Sequence, residues 1–355
     1  TAALKARLQQ MASQPKKNMR PRDAKMGQRR PQMPPRKPTP PNQGRILTGN
    51  EYLTVFNGLT GKAMQTIDYV PQRGRLEDWG DNRANRADRY LAAVAYLDGL
   101  RPSVIMCRGY YTRAVLAAFD WDGKELKQRW VFDTKQPGNE AYEGQGNHNL
   151  RVADVDGDGC HEIIYGAATI DHDGTVLYST QDVMPDGSMK GLGHGDSLHV
   201  ANINPDRPGL EIFNVFEEGK SVPYGWALRD AETGKVMFGE PADRDLGRCM
   251  IGDVCPDVRG LQVWAVGMYD CNGNKLDTKP MGTNANIRWA ADMSTQVTDG
   301  VDYINEKHIG VIGDNTHGVM LHPEGTSTNN GTKGNPCLVA DVFGDYREEI
   351  ILRTV

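Results

Sequence analysis

The sequence predicts an all-β fold built from a repeated unit. Five segments each run from an apolar stretch into a turn rich in Asp and Gly and out through a second apolar stretch. Most units close with a further hairpin turn, and helical periodicity is nearly absent beyond the first dozen residues. Short apolar runs joined by Gly, Asp and Asn turns are β-hairpins.

The segments read VAYLDGLRPSVIM from Val94, VADVDGDGCHEIIYG from Val152, VANINPDRPGLEIFNV from Val200, MIGDVCPDVRGLQVWAVG from Met250 and VADVFGDYREEIIL from Val339. Their turn-opening residues Asp98, Asp154, Asn202, Asp253 and Asp341 are 56, 48, 51 and 88 residues apart. The last gap fits two units, with WAADMSTQV around Asp292 as a degenerate member. The closing turns are NGLTGK (57–62), DWDGKEL (120–126), DHDGTVLY (171–178), DAETGKVMF (230–238) and CNGNKL (271–276). A unit of about 40–50 residues with up to four strands is a propeller blade. A β-sandwich gives no reason for one turn to recur at that interval. Seven whole or partial blades start near Tyr52, Val94, Val152, Val200, Met250, Trp289 and Val339. The chain stops at ILRTV, halfway through the last, so the expectation is a β-propeller incomplete over residues 46–355.

Residues 1–45 differ from the rest. They hold twelve Lys and Arg against the single acid Asp23, a net charge of +11, leaving −16 for the remainder. This basic, Pro-rich stretch is expected to be a disordered arm or a fragment boundary. No run approaches the roughly 18–20 apolar residues that span a bilayer, so a soluble protein is expected. The start TAALKARLQQ lacks the apolar core of a signal peptide. Six cysteines without a C-x-x-C pair argue against a zinc site and a disulfide scaffold.

In DVDGDGCHE, Asp154, Asp156 and Asp158 alternate with small residues, and Glu162 follows. Alternate carboxylates in a Gly-containing loop converge on one point and suit a hard, oxygen-seeking cation. An EF-hand would place Glu at the twelfth position, which here is Tyr165. The expectation is therefore a structural Ca²⁺ loop between strands. The turns at Asn202, Asp253 and Asp341 carry fewer carboxylates and read as simple turn chemistry.

If these turns join the first two strands of each blade, the approaches to the first strand and the exits from the second lie together at the opposite end. Those positions hold His148, His194, Asp196, Arg248 and the stretch Asn329 to Lys333 on approach, and Arg108, Tyr110, Tyr111, Glu217, Glu218 and Arg353 on exit. Two imidazoles with Asp and Glu form a plausible metal set. Arg forks and Tyr faces suit an anionic sugar.

Four strings, GQGNHNLRVADVDGDG, GLGHGDSLHVANINPDRPGLEIF, VIMCRGYYTRAVLAAFDWDG and NNGTKGNPCLVADVFGDYREEIILRT, resemble the bacterial rhamnogalacturonan lyases. The resemblance covers most of residues 46–355. It implies an eight-bladed propeller and Ca²⁺-dependent β-elimination in the pectin backbone. It further implies that His148, His194, Asp196 and Glu217 form the cleft metal cluster, and that Arg248 with Asn330, Gly331, Thr332 and Lys333 contacts substrate. We assign Lys333 and Arg248 to catalysis, and Asn330, Gly331, Thr332, Arg108, Tyr110 and Tyr111 to substrate binding. The polymeric substrate implies a secreted, cell-surface or periplasmic protein, expected to be monomeric. A non-catalytic, calcium-stabilised propeller for carbohydrate binding or adhesion is the alternative. A glycoside hydrolase is weaker, because adjacent Glu217 and Glu218 would point to opposite sides of a strand.

Overall fold

The computed structural model describes residues 42–80, 82–278, 282–302, 307–327 and 335–354. The chain divides into Thr1–Gln43 and Gly44–Val355, and the sheets all belong to the second unit. Residues 1–41 lie outside the described residues, as do Asn330, Gly331, Thr332 and Lys333.

Five four-stranded antiparallel sheets follow one another, each in simple up-and-down order. The first is Tyr90–Ala95, Ser103–Arg108, Val115–Trp121 and Leu126–Asp133. The second is Arg151–Ala153, Glu162–Tyr165, Ala168–Ile170 and Val176–Ser179. The third is Gly195–Ala201, Glu211–Phe216, Trp226–Asp230 and Val236–Glu240. The fourth is Met250–Gly252, Gln262–Trp264, Met268–Tyr269 and Lys275–Leu276, and the fifth is Ala285–Ile287, Gln296–Asp302, Lys307–Asp314 and Gly318–Leu321. A hairpin, Tyr52–Phe56 with Ala63–Asp68, precedes them, and Leu338–Ala340 pairs with Glu349–Ile351 after them. The chain is thus all-β; among the described residues the α-helix is the single turn Ala84–Ala87.

Why these residues stack as sheets is visible in their alternation. Side chains of a strand point to opposite faces in turn. Ile163 faces the core shared with the first sheet, beside Ile105, Cys107 and Leu116. Its neighbour Ile164 faces the next sheet, beside Leu198 and Ile212. In the same way Phe213 and Val263 meet between the third and fourth sheets, while Trp264 packs with Val297 of the fifth. The second strands are apolar on both faces because both faces are covered. First strands of successive sheets lie against one another.

Each acidic turn joins the first strand of its sheet to the second. Except in the first sheet, whose second strand opens with Ser103 bonded to Asp120, the residue opening the second strand holds the turn in place. Glu162 accepts the Val155 amide at 2.7 Å. Glu211 accepts those of Ile203 and Asn204 at 2.7 and 3.0 Å. Gln262 accepts those of Val254 and Cys255, both at 2.8 Å, and Gln296 those of Trp289 and Ala290 at 2.9 and 2.8 Å. Glu349 accepts those of Val342 and Phe343 at 2.7 and 3.2 Å. A buried amide without a partner is costly, so one side chain here fixes a whole loop.

Some pairings depart from the sequence reading. The fifth sheet begins at Ala285–Ile287, ahead of Trp289. An extra hairpin, Gln181–Val183 with Met189–Gly191, separates the second sheet from the third. Thr326–Ser327 pairs with Arg353–Thr354.

Candidate functional site

The second and third sheets meet where their first strands begin. Asn147 and Gly195 form a parallel bridge there. The His148 amide donates to the Gly195 carbonyl at 2.9 Å, and the buried Asn147 side-chain amide donates to the Asp196 carbonyl at 2.6 Å. The Glu217 amide in turn donates to the His194 carbonyl at 3.0 Å. Gly195 is required by this closeness, because a Cβ would collide with the Val215 carbonyl and the Asn147 side chain. Backbone bonds and the Asn147 side chain therefore bring the four residues expected at a metal cluster to one place.

His148 Nε2 lies 3.2 Å from Glu217 Oε1 and 3.8 Å from Asp196 Oδ1, and His194 Nε2 lies 3.5 Å from Glu217 Oε1. One donor atom from each of His148, His194 and Glu217 lies within 4.8 Å of the others. A second set, Asp196, Glu217 and Asp245, meets the same limit. His194 is buried, and neither ring nitrogen has a hydrogen-bond partner. An orphaned buried imidazole is costly unless something is bound to it. Burial would raise the Glu217 carboxyl, but the neighbouring His148 and His194 imidazoles hold it well below the usual carboxylate range. A carboxylate charged in this way, facing imidazoles, fits a divalent cation. The carboxylate oxygens suit a hard ion such as Ca²⁺, while imidazoles extend the fit to first-row divalent ions.

The acidic loop is a different kind of site. Asp154, Asp156 and Glu162 bring oxygens within 4.8 Å of one another. Glu162 is fully buried, and its Oε1 has no hydrogen-bond partner. Burial, together with the charges of Asp156 and Asp158, pushes its pKa up to about 7. An all-oxygen cradle with an orphaned carboxylate oxygen fits Ca²⁺. Asp158 stands apart from this set, grouped instead with Cys160 and His172, its Oδ2 3.3 Å from His172 Nδ1. In the next sheet the equivalent acid Glu211 is satisfied by protein, since Arg207 Nη1 lies 2.7 Å from its Oε1. In the fourth, the Gln262 amide donates to the Val258 and Gly260 carbonyls at 3.3 and 2.9 Å.

Arg108 is not a ligand contact. It is fully buried, ion-paired to Glu51, bonded to the Tyr90 hydroxyl and placed over the Tyr69, Trp79 and Tyr90 rings. The last residue of a strand covered on both faces, it turns inward. Tyr110 is also core rather than surface, its ring stacked on His194 at 5.0 Å and tilted against His148 at 4.5 Å. It orients the imidazoles by packing. Tyr111 is partly exposed, with His194 at 4.2 Å and the Arg86 guanidinium at 4.1 Å from its ring. Arg248 lines a cavity of about 450 Å³ together with Arg151, Ser197 and His199. Asn335 and Pro336, which follow the undescribed stretch holding Lys333, line the same cavity. The Arg248 Nε is buried without a hydrogen-bond partner.

Asp245 is a functional candidate that the sequence pattern does not reveal. It lies in a connection between sheets, outside the repeat, and only its nearness to Asp196 and Glu217 marks it.

The family model for the rhamnogalacturonan lyase family 11 C-terminal domain matches residues 38–355. The chain is 50% identical over 333 residues to the rhamnogalacturonan exolyase YesX of Bacillus subtilis (strain 168), covering 88% of this chain and 52% of that protein. It is 46% identical over 314 residues to the rhamnogalacturonan endolyase YesW of the same organism, covering 88% and 48%. The crystal structure of YesX superposes with a TM-score of 0.79 at 50% identity, covering 88% of this chain and 52% of the other. A Bacillus licheniformis rhamnogalacturonan lyase superposes with a TM-score of 0.78 at 49% identity, covering 88% and 51%. The chain spans about half the length of the curated relatives it matches.

Proposed function

The chain belongs to rhamnogalacturonan lyase family 11, and from that membership and the geometry of the cluster we propose that it carries the metal-dependent centre of a rhamnogalacturonan lyase. The observation behind this reading is the convergence of His148, His194 and Glu217 around an imidazole that lacks any hydrogen-bond partner. The substrate class follows from the relatives, which are named as rhamnogalacturonan lyases. The site of cleavage we propose is galacturonate, and the cation we propose is Ca²⁺.

Elimination removes the proton on C5, next to the uronate carboxylate. The electron pair forms the C4–C5 double bond, the bond from C4 to the glycosidic oxygen breaks, and that oxygen takes up a proton. The difficulty is charge accumulating on a group already negative. A cation held by His148, His194, Asp196 and Glu217 supplies, when bound, the opposing charge. Arg248 adds a guanidinium fork suited to a carboxylate. Lys333 serves as the base, and Asn330, Gly331 and Thr332 beside it hold the sugar, with the partly exposed Tyr111 ring as a stacking surface. Removal of a proton by lysine requires its neutral form, which nearby cations favour. A monomer secreted, or held at the cell surface or in the periplasm, meets the polymer where it occurs.

Ultraviolet absorbance during incubation with rhamnogalacturonan tests this. A rise with Ca²⁺ that chelator abolishes reports the unsaturated product. No rise, from a folded chain that still binds the polymer, favours the carbohydrate-binding propeller instead. Normal turnover in Lys333→Ala would remove Lys333 as the base.

A further inference from the structure

We infer that Asp245 is an additional ligand of the cleft cation and, through it, a positioning residue for Arg248. The inference rests on the reading of the cluster as a metal centre. Asp245 lies in the connection between the third and fourth sheets, three residues before Arg248 in DLGRCM. One of its carboxylate oxygens is within 4.8 Å of oxygens of Asp196 and Glu217. Oxygens that share an ion at about 2.3–2.6 Å are separated by no more than about 5 Å. Asp245 is exposed and could turn outward at little cost, and no Lys or Arg among the described residues forms an ion pair with it. Three carboxylates gathered in this way repel one another unless a cation sits among them.

Two further observations point the same way. His194, buried with both nitrogens lacking hydrogen bonds, has its Nε2 3.5 Å from Glu217, the residue common to both sets of donors. The connection is also shaped to the cluster. Gly247 has φ 64°, and a Cβ there would lie 3.4 Å from Asp196 Oδ2 and 3.7 Å from Asp245 Oδ1. A left-handed residue without a side chain lets the chain pass beside both carboxylates. The Arg248 amide then donates to the Leu246 carbonyl at 2.6 Å, a tight turn that transmits the position of Asp245 to Arg248. A cation bound by Asp245 therefore fixes the connection that carries the guanidinium.

Calorimetric titration with Ca²⁺, repeated with Mn²⁺, of the chain and its Asp245→Asn, Asp245→Glu and His194→Ala variants tests the inference. The chain should show a binding event that His194→Ala lacks. In Asp245→Asn that event should weaken at least about tenfold, the scale on which lost metal-site partners are felt, and Asp245→Glu should recover most of it. Hydrogen exchange gives a second readout. Cation should protect the amides of residues 242–249 in the chain and leave them unprotected in Asp245→Asn. Wild-type affinity in Asp245→Asn, for an event that His194→Ala abolishes, overturns the inference alone. If no binding event depends on His194, the metal reading falls and this inference falls with it.

Discussion

His148 Nε2 and Glu217 Oε1 are 3.2 Å apart although they flank strands of different sheets. Nothing in either side chain causes this. The backbone bond from His148 to Gly195, and that from Glu217 to His194, set the separation. Gly195→Ala should therefore disturb the site without touching a functional group. A Cβ there meets the Val215 carbonyl, and overpacking of this kind costs about 1–3 kcal/mol. Displacement of the cluster by about 1 Å should lower turnover on rhamnogalacturonan about a hundredfold. Wild-type turnover in a folded Gly195→Ala chain would show that the bridge does not set the geometry.

Arg108 gives a prediction of the opposite kind. Removing one partner of a buried ion pair leaves a buried charge behind, at about 3–5 kcal/mol. Arg108→Ala should lose stability by denaturant unfolding, by less than that scale because Glu51 keeps Arg73 as a charged partner. Whatever fraction folds should bind polymer normally. Unchanged stability with weakened polymer binding would restore Arg108 as a substrate contact.

The Glu162 turn should respond to calcium. A cation at a hundredfold its Kd stabilises by about 2.7 kcal/mol, worth about 2–4 °C per kcal/mol in a domain of about 150–250 residues. Glu162→Gln places the amide found at Gln262 and Gln296 in this turn. The variant should melt at a temperature that chelator shifts less than in the parent chain. An equal chelator shift in both would place the stabilising ion elsewhere.

His199 should make the fold acid-sensitive. Burial pushes its pKa down to about 4, and its Nε2–H donates to the Cys249 carbonyl at 3.0 Å. Native structure therefore holds the neutral ring more firmly than the unfolded chain does, where titration occurs near 6.5. The contribution is complete above about pH 6.5 and is lost as pH falls toward about 4. In His199→Gln, stability between those values should fall less steeply than in the parent. Parallel pH profiles would contradict a buried neutral imidazole.

Much of the fold and half of the site are legible in the sequence, and the reason is local. The turns around Asp98, Asp154, Asn202 and Asp253 announce themselves by Gly and Asp, and adjacent apolar residues such as Ile163 and Ile164 mark a strand covered on both faces. Knowing which end of each strand the turn occupies is enough to gather His148, His194, Asp196 and Glu217 at the other end. Arg108 defeats that logic because CRGYYTR looks like a cleft edge, and nothing in sequence marks Glu51, 57 residues earlier, as its partner. Asp245 escapes it because no repeat frames the residue. The hairpin at Gln181–Val183 and Met189–Gly191 leaves little trace because its strands are short and mostly polar.

The side chain that opens the second strand in the second to fifth four-stranded sheets has a further consequence. Its one arm always clasps the turn, while its other is met by a guanidinium at Glu211, by backbone carbonyls at Gln262 and by a hydroxyl and a carboxylate at Gln296. Only at Glu162, among these four, does protein supply nothing. Among these four turns, sensitivity to dissolved cations is thereby confined to a single seam. Val155, beside that turn, packs on Leu198 and Ile212 of the third sheet. Withdrawal of dissolved ions should loosen that seam first, while its neighbours, fastened internally, stay shut.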